Sequence, residues 1–126
     1  MTNEEMDRAI AEYLGADCMT GSRFATWPVQ AGEMLRKITV HVAQSDERYG
    51  RLFAQIPNFS TDLNAMHEAE NVILQNADTG YDYDCIMNMV CETWEDGVMN
   101  YMKLWHATAN QRAEAFLRTV GKWRDE

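Results

Sequence analysis

Carboxylates are the most abundant groups in this chain that could do chemistry, and they are unevenly placed. Nine of them (Asp62, Glu68, Glu70, Asp78, Asp82, Asp84, Glu92, Glu95 and Asp96) stand between Arg51 and Lys103, where no lysine or arginine occurs. The remaining 11 acids are balanced by the chain's 11 lysines and arginines, so the whole net charge of −9 resides in this middle block. Carboxylate pairs perform acid–base work when their surroundings drive their pKa values apart. Here they come without a catalytic signature, since no GxSxG, P-loop or GxGxxG is present. The expectation is a protein that is not an enzyme. A dense negative block repels nucleic-acid phosphates and attracts basic surfaces. A basic-surfaced protein is therefore the expected partner, without direct nucleic-acid binding. Solubility alone is the competing explanation of the charge.

Metal and thiol chemistry have little to work with. His67 shares a helical face with Glu70, but His41 and His106 are distant in sequence, and no HExxH or Cys/His spacing occurs. No metal or other cofactor is expected. Cys18, Cys85 and Cys91 are odd in number and lack a CxxC spacing. Reduced thiols in a cytoplasm are the plain reading. The acidic, polar opening Met1-Thr2-Asn3-Glu4-Glu5 does not resemble a signal peptide, and no apolar run reaches the roughly 18 residues of a membrane span.

Two further sets of residues could bind. Four tryptophans and nine methionines are generous for 126 residues. Met87, Met89, Met99 and Met102 fall in the acidic stretch with Trp94, and Trp105 stands just beyond it; such side chains suit adaptable or energetically dominant contact surfaces. Core packing competes with that reading. The proposed partner-binding set is Asp82, Asp84, Glu92, Trp94, Glu95, Asp96, Met99 and Trp105. The second set comprises Ser60, Thr61, Asp62, Thr108 and Arg112, at two helix starts whose free amides and positive ends favour an anion. Those residues also cap helices, and a salt bridge between Asp62 and Arg112 would serve as well.

The elements that position these residues follow from periodicity. Thr2 and Glu5 form a capping box ahead of Met6, Ala9, Ile10, Tyr13 and Leu14, predicting a helix over 3–14 closed by Gly15. Residues 22–30 contain Pro28 and suit an edge strand. The alternation of Ile38, Val40 and Val42 predicts a second strand over 35–43, with 30–33 turning a hairpin between them. Residues 45–50 form a polar connection, and 52–56 a short strand ended by Pro57. A helix is predicted over 62–76, broken by Asp78-Thr79-Gly80. Residues 81–95 fit a helix by length, although Cys85, Met87, Met89 and Cys91 also alternate as in a strand. A turn at 95–97 leads to a strand over 98–105. Thr108 and Gln111 open a last helix carrying Ala109, Ala113, Phe116, Leu117 and Val120 on one face, closed by Gly121. The sum is a single α+β domain over 1–126 with an acidic, methionine-rich insert at about 78–104.

Three segments carry a family resemblance: 1–12 (MTNEEMDRAIAE), 56–70 (IPNFSTDLNAMHEAE) and 105–123 (WHATANQRAEAFLRTVGKW). In order and position they resemble the phage ABA-sandwich family of phage and prophage proteins, over about a third of the chain. The resemblance implies an α-β-α layered sandwich, a small antiparallel sheet with three or four helices, and a phage origin; it implies no activity. Phe59 and Asn110 depart from the tyrosine and arginine frequent in relatives. Together, resemblance and charge suggest a small phage accessory protein that binds and inhibits a host protein, such as a defence factor, in the host cytoplasm. One alternative is a small-molecule binder, a sponge for a nucleotide signal, built on the capped helix starts and Arg112. Another is a structural role as a homo-oligomer.

Overall fold

The computed structural model describes residues 1–38, 42–43 and 51–125. Helix α1 (Asn3–Tyr13) starts where the capping box puts it: Thr2 Oγ1 accepts the Glu5 amide at 3.1 Å, and Glu5 Oε1 accepts the Thr2 amide at 3.2 Å. Strands β1 (Asp17–Cys18) and β2 (Phe24–Pro28) follow. The sheet order is β1-β2-β4-β3, with all three pairings antiparallel, so β2 lies inside the sheet, whereas an edge position was expected. Pro28 is tolerated there because β1 reaches only Ala25 and Thr26, leaving Pro28 beyond its ladder.

The hairpin expected at 30–33 is absent. After Pro28 the chain makes a 3-10 turn (Val29–Ala31) and then α2 (Gly32–Ile38), so 35–38, expected as strand, is helical. Leu35 is fully buried in that helix, and Gly32 lets it approach β4, since a Cβ at position 32 would sit 2.9 Å from Leu52 Cδ1. Within the strand expected over 35–43, residues 39–41 lie outside the described residues, as does the whole connection at 45–50. Val42–Ala43 do form a strand, β3, against β4 (Arg51–Gln55).

Strand β4 is central, pairing with both β2 and β3. Its inward residues Leu52 and Ala54 alternate with outward ones, as Ala25 and Trp27 do on β2. Trp27 is wholly buried, and its indole N–H donates to the Ala54 carbonyl at 3.3 Å.

Helix α3 (Leu63–Leu74) is capped by Asp62. The break expected at 78–80 falls one turn earlier. Asn76 Oδ1 accepts the amides of Asp78 and Thr79, starting α4 (Ala77–Val90) with Gly80 inside it. Residues 81–90 are therefore helix, whereas 94–95 belong to strand β5 (Trp94–Glu95). Its partner β6 (Val98–Met99) covers only the start of the strand expected over 98–105. Asn100 then caps a short helix, α5 (Tyr101–Trp105). Helix α6 (Ala109–Thr119) opens on the Thr108–Gln111 capping box, and Gly121, at φ 76°, lets the Lys122 amide reach back to the Leu117 carbonyl.

The chain is α+β as expected, but with six α-helices among the described residues where three or four were expected, because 32–38 and 101–105 are helical and not turn or strand, and with an antiparallel four-stranded sheet. Helix α6 packs on α1, α3 and α4, and Phe116, Leu117, Ile10, Met66, Ile73, Phe59 and Trp27 belong to one buried apolar cluster. No helix among the described residues is long and apolar enough to cross a membrane.

Candidate functional site

The end of the molecule built from the α4 terminus, the β5–β6 hairpin and α5 is assembled by a few polar residues. Thr93 is buried; its hydroxyl hydrogen-bonds Asn88 Oδ1 at 2.8 Å, and its amide donates to the Asn88 carbonyl at 3.1 Å. The Thr93 carbonyl in turn accepts the Asn100 amide at 2.6 Å, which closes the base of the hairpin. Asp96 (φ 51°) and Gly97 (φ 80°) are both left-handed, as a two-residue turn matched to the strand twist requires. Glu92, at φ 51°, turns the chain out of α4.

Trp94 lies opposite Met99, and Glu95 opposite Val98. Neither tryptophan packs inward: Trp94 is 63% exposed and Trp105 is 71% exposed. Met89, Val98, Tyr101 and Met102 are exposed around them, and Met99 is half-buried. Glu92, Glu95 and Asp96 are exposed as well. Two open depressions share Glu95. One is lined by Asn88, Met89, Glu92, Trp94 and Lys103. The other is lined by Val98, Met99, Asn100, Tyr101, Met102 and Trp105.

Lys103 ties α5 to the hairpin. Its ammonium pairs with the Glu95 carboxylate and donates to the Glu92 carbonyl at 3.4 Å. The hydrogen bond from Lys103 holds the Glu95 carboxyl below its usual range, and the same bond raises Lys103. Of the proposed partner-binding set, Glu92, Trp94, Glu95, Met99 and Trp105 line these depressions, and Asp96 sits at the turn between the strands. Asp82 and Asp84 line neither. They are exposed on α4, two positions and so about 200° apart around the helix.

The second set is spent within the fold. Ser60 is buried, with its amide donating to Asp7 Oδ1 at 2.8 Å and its hydroxyl to the Asn3 carbonyl at 3.3 Å. Asp62 accepts the amides of Asn64 and Ala65, Thr108 accepts that of Gln111, and Thr61 is exposed. Asn110 Nδ2 donates to Asn3 Oδ1 at 2.6 Å, so the start of α6 and the loop before α3 both touch the first turn of α1.

Arg112 pairs with Glu70, not with Asp62. Its Nη1 lies 3.2 Å from Glu70 Oε2, and its Nε donates to the Ala107 carbonyl at 3.3 Å. Both side chains are largely buried, at 15% and 7% exposure. His67 Nδ1 approaches Glu70 Oε1 at 3.5 Å from the solvent side. Beside the pair lies the buried Tyr83 hydroxyl, which makes no hydrogen bond of good geometry among the described residues. Burial first, and then the Glu70 carboxylate, push this phenol far above its ordinary range.

Sequence reasoning missed three features. Glu70 occupies the apolar face of α3, and a carboxylate in such a position needs a buried cation. Lys103 is the one lysine or arginine between Arg51 and Arg112. Asp7 is buried between the Ser60 amide and Arg23, whose Nη2 lies 3.5 Å from Asp7 Oδ2, and no periodicity signals it. Among the described residues no group of three or more His, Cys, Asp or Glu could hold a metal ion, and Cys18, Cys85 and Cys91 are unpaired. The chain matches no family model, no curated protein and no solved structure.

Proposed function

We propose that this is a non-enzymatic phage or prophage accessory protein that binds and inhibits a host protein, such as a defence factor, through the hairpin and α5 end. The observation that carries the reading is the exposure of Trp94 and Trp105 together with Met89, Val98, Tyr101 and Met102, rimmed by Glu92, Glu95 and Asp96. Large apolar side chains left bare in a cluster mark interaction sites, and a carboxylate rim selects a basic partner and speeds encounter with it. The phage origin, the α-β-α layering and the host cytoplasm as working compartment rest on the family resemblance and on the cysteine pattern.

The nucleotide-binder alternative is less favoured, because Asp62, Thr108 and Arg112 already satisfy groups of the protein itself. Affinity capture from host lysate with wild type and with Trp94→Ala/Trp105→Ala tests the reading. The double variant is expected to lose the partner. Charge reversal at Asp82, Asp84, Glu92, Glu95 and Asp96 is expected to weaken capture at low salt. If capture survives both that reversal and about 0.5 M salt, where screening is nearly complete, the electrostatic part of the proposal fails.

A further inference from the structure

We infer that the depression between Trp94 and Lys103 is a receptor for a lysine or arginine side chain of the partner, and that Lys103 is its resting internal occupant. The inference rests on the reading of this end as the binding surface. The depression already holds an ammonium, bound by one carboxylate, Glu95, and one backbone carbonyl, that of Glu92. These acceptors would serve an incoming cation equally well. Lys103 is about a third exposed, and exposed ion pairs contribute little net stability, so its exchange for a partner's cation meets a small barrier. The adjoining depression, lined by Val98, Met99, Met102 and Trp105, is apolar apart from Asn100, the Tyr101 hydroxyl and the shared Glu95.

The two together fit a segment that carries a basic residue next to an apolar anchor. With Lys103 in place, the local carboxylates Glu92, Glu95 and Asp96 carry two net negative charges; with Lys103 displaced or neutralised they carry three. Lys103 thus holds affinity for cations below what the surface could deliver, and it discriminates against weakly basic surfaces.

The test uses the full chain and a short acetylated peptide of lysine and leucine, with a glutamine–leucine peptide as control, followed by calorimetry and tryptophan emission at low salt. Wild type is expected to bind the lysine peptide and not the control. Lys103→Gln is expected to bind it about three- to tenfold more tightly, through the restored negative potential, and Lys103→Arg about as wild type. Lys103→Met, which keeps the aliphatic stem, is the second variant and is expected to behave as Lys103→Gln, with thermal melts checking that both fold. If wild type binds the lysine peptide but neither neutral variant binds it more tightly, Lys103 is a structural pin and this inference alone falls. If wild type does not prefer the lysine peptide to the control, the basic-partner reading falls, and the inference with it.

Discussion

At the scale of single residues, the most consequential side chains are those that carry charge where the helix faces are apolar. Removing one partner of a buried pair strands the other. Arg112→Ala is therefore expected to cost about 3–5 kcal/mol in urea denaturation, whereas Glu70→Leu/Arg112→Leu, which removes both charges, should be as stable as wild type or more so. An Arg112 reserved for a ligand would instead leave the melt of Arg112→Ala unchanged. Tyr83→Phe removes a buried hydroxyl that makes no well-formed hydrogen bond among the described residues, so stability should hold or rise by up to about 1 kcal/mol; a clear loss would reveal a partner. Asp7 supplies a pH signature. Burial, opposed by the Ser60 hydrogen bonds and by Arg23, raises its carboxyl in the folded state. A folded pKa above the unfolded one favours the fold when the group is protonated. That contribution is full below the unfolded pKa and fades as pH rises through the folded one. The stability of wild type relative to Asp7→Asn should consequently increase as pH is lowered from neutrality toward the ordinary carboxylate range, as measured by urea melts at each pH.

At the scale of elements, what was legible depended on whether a local polar group declares the boundary. The capping boxes at Thr2–Glu5 and Thr108–Gln111 placed α1 and α6 within a residue or two, because cap chemistry is local. Asn76 and Asn100 are equally good caps, but each stood next to a louder signal. The Asp78-Thr79-Gly80 run looked like a break, and the apolar stretch after Gly97 looked like a strand. The same competition hid α2: Ile38 alternates with Val40 and Val42, yet it also stands four residues after Met34, and burial of Leu35 in the core decided for the helix. The hairpin turn is where an element can be loosened selectively. Gly97→Ala forces a Cβ into a left-handed position with open space around it, a backbone cost of about 1 kcal/mol. Hydrogen exchange at the amides of 93–100 is expected to speed up while those of α1 and α6 keep their protection.

At the scale of the whole molecule, the charge asymmetry read from the sequence divides into parts that the fold keeps separate. Glu70 is withdrawn into the interior by Arg112, and Asp62 is occupied as a cap. Asp78 and Asp82 lie one turn apart on one face of α4 with Asp84 on another, while Glu92, Glu95 and Asp96 are exposed at the hairpin end that carries the tryptophans. The count of charges was visible in one dimension, but which of them share a surface depended on the path of the chain after Val90, and periodicity does not encode that path. The two exposed groups should act differently on association. Carboxylates away from the contact raise the encounter rate through the field, whereas those at the contact also govern escape. Asp78→Asn/Asp82→Asn/Asp84→Asn should slow association of the lysine–leucine peptide by about threefold to tenfold at low salt, leave dissociation unchanged, and lose its effect as salt screens the field. Glu92→Gln/Glu95→Gln/Asp96→Asn should slow association to a similar degree and in addition speed dissociation, an effect that persists at salt levels where the first set has become silent. Stopped-flow tryptophan fluorescence separates the two rates. A change in dissociation produced by the α4 set alone would move the contact surface from the hairpin to α4.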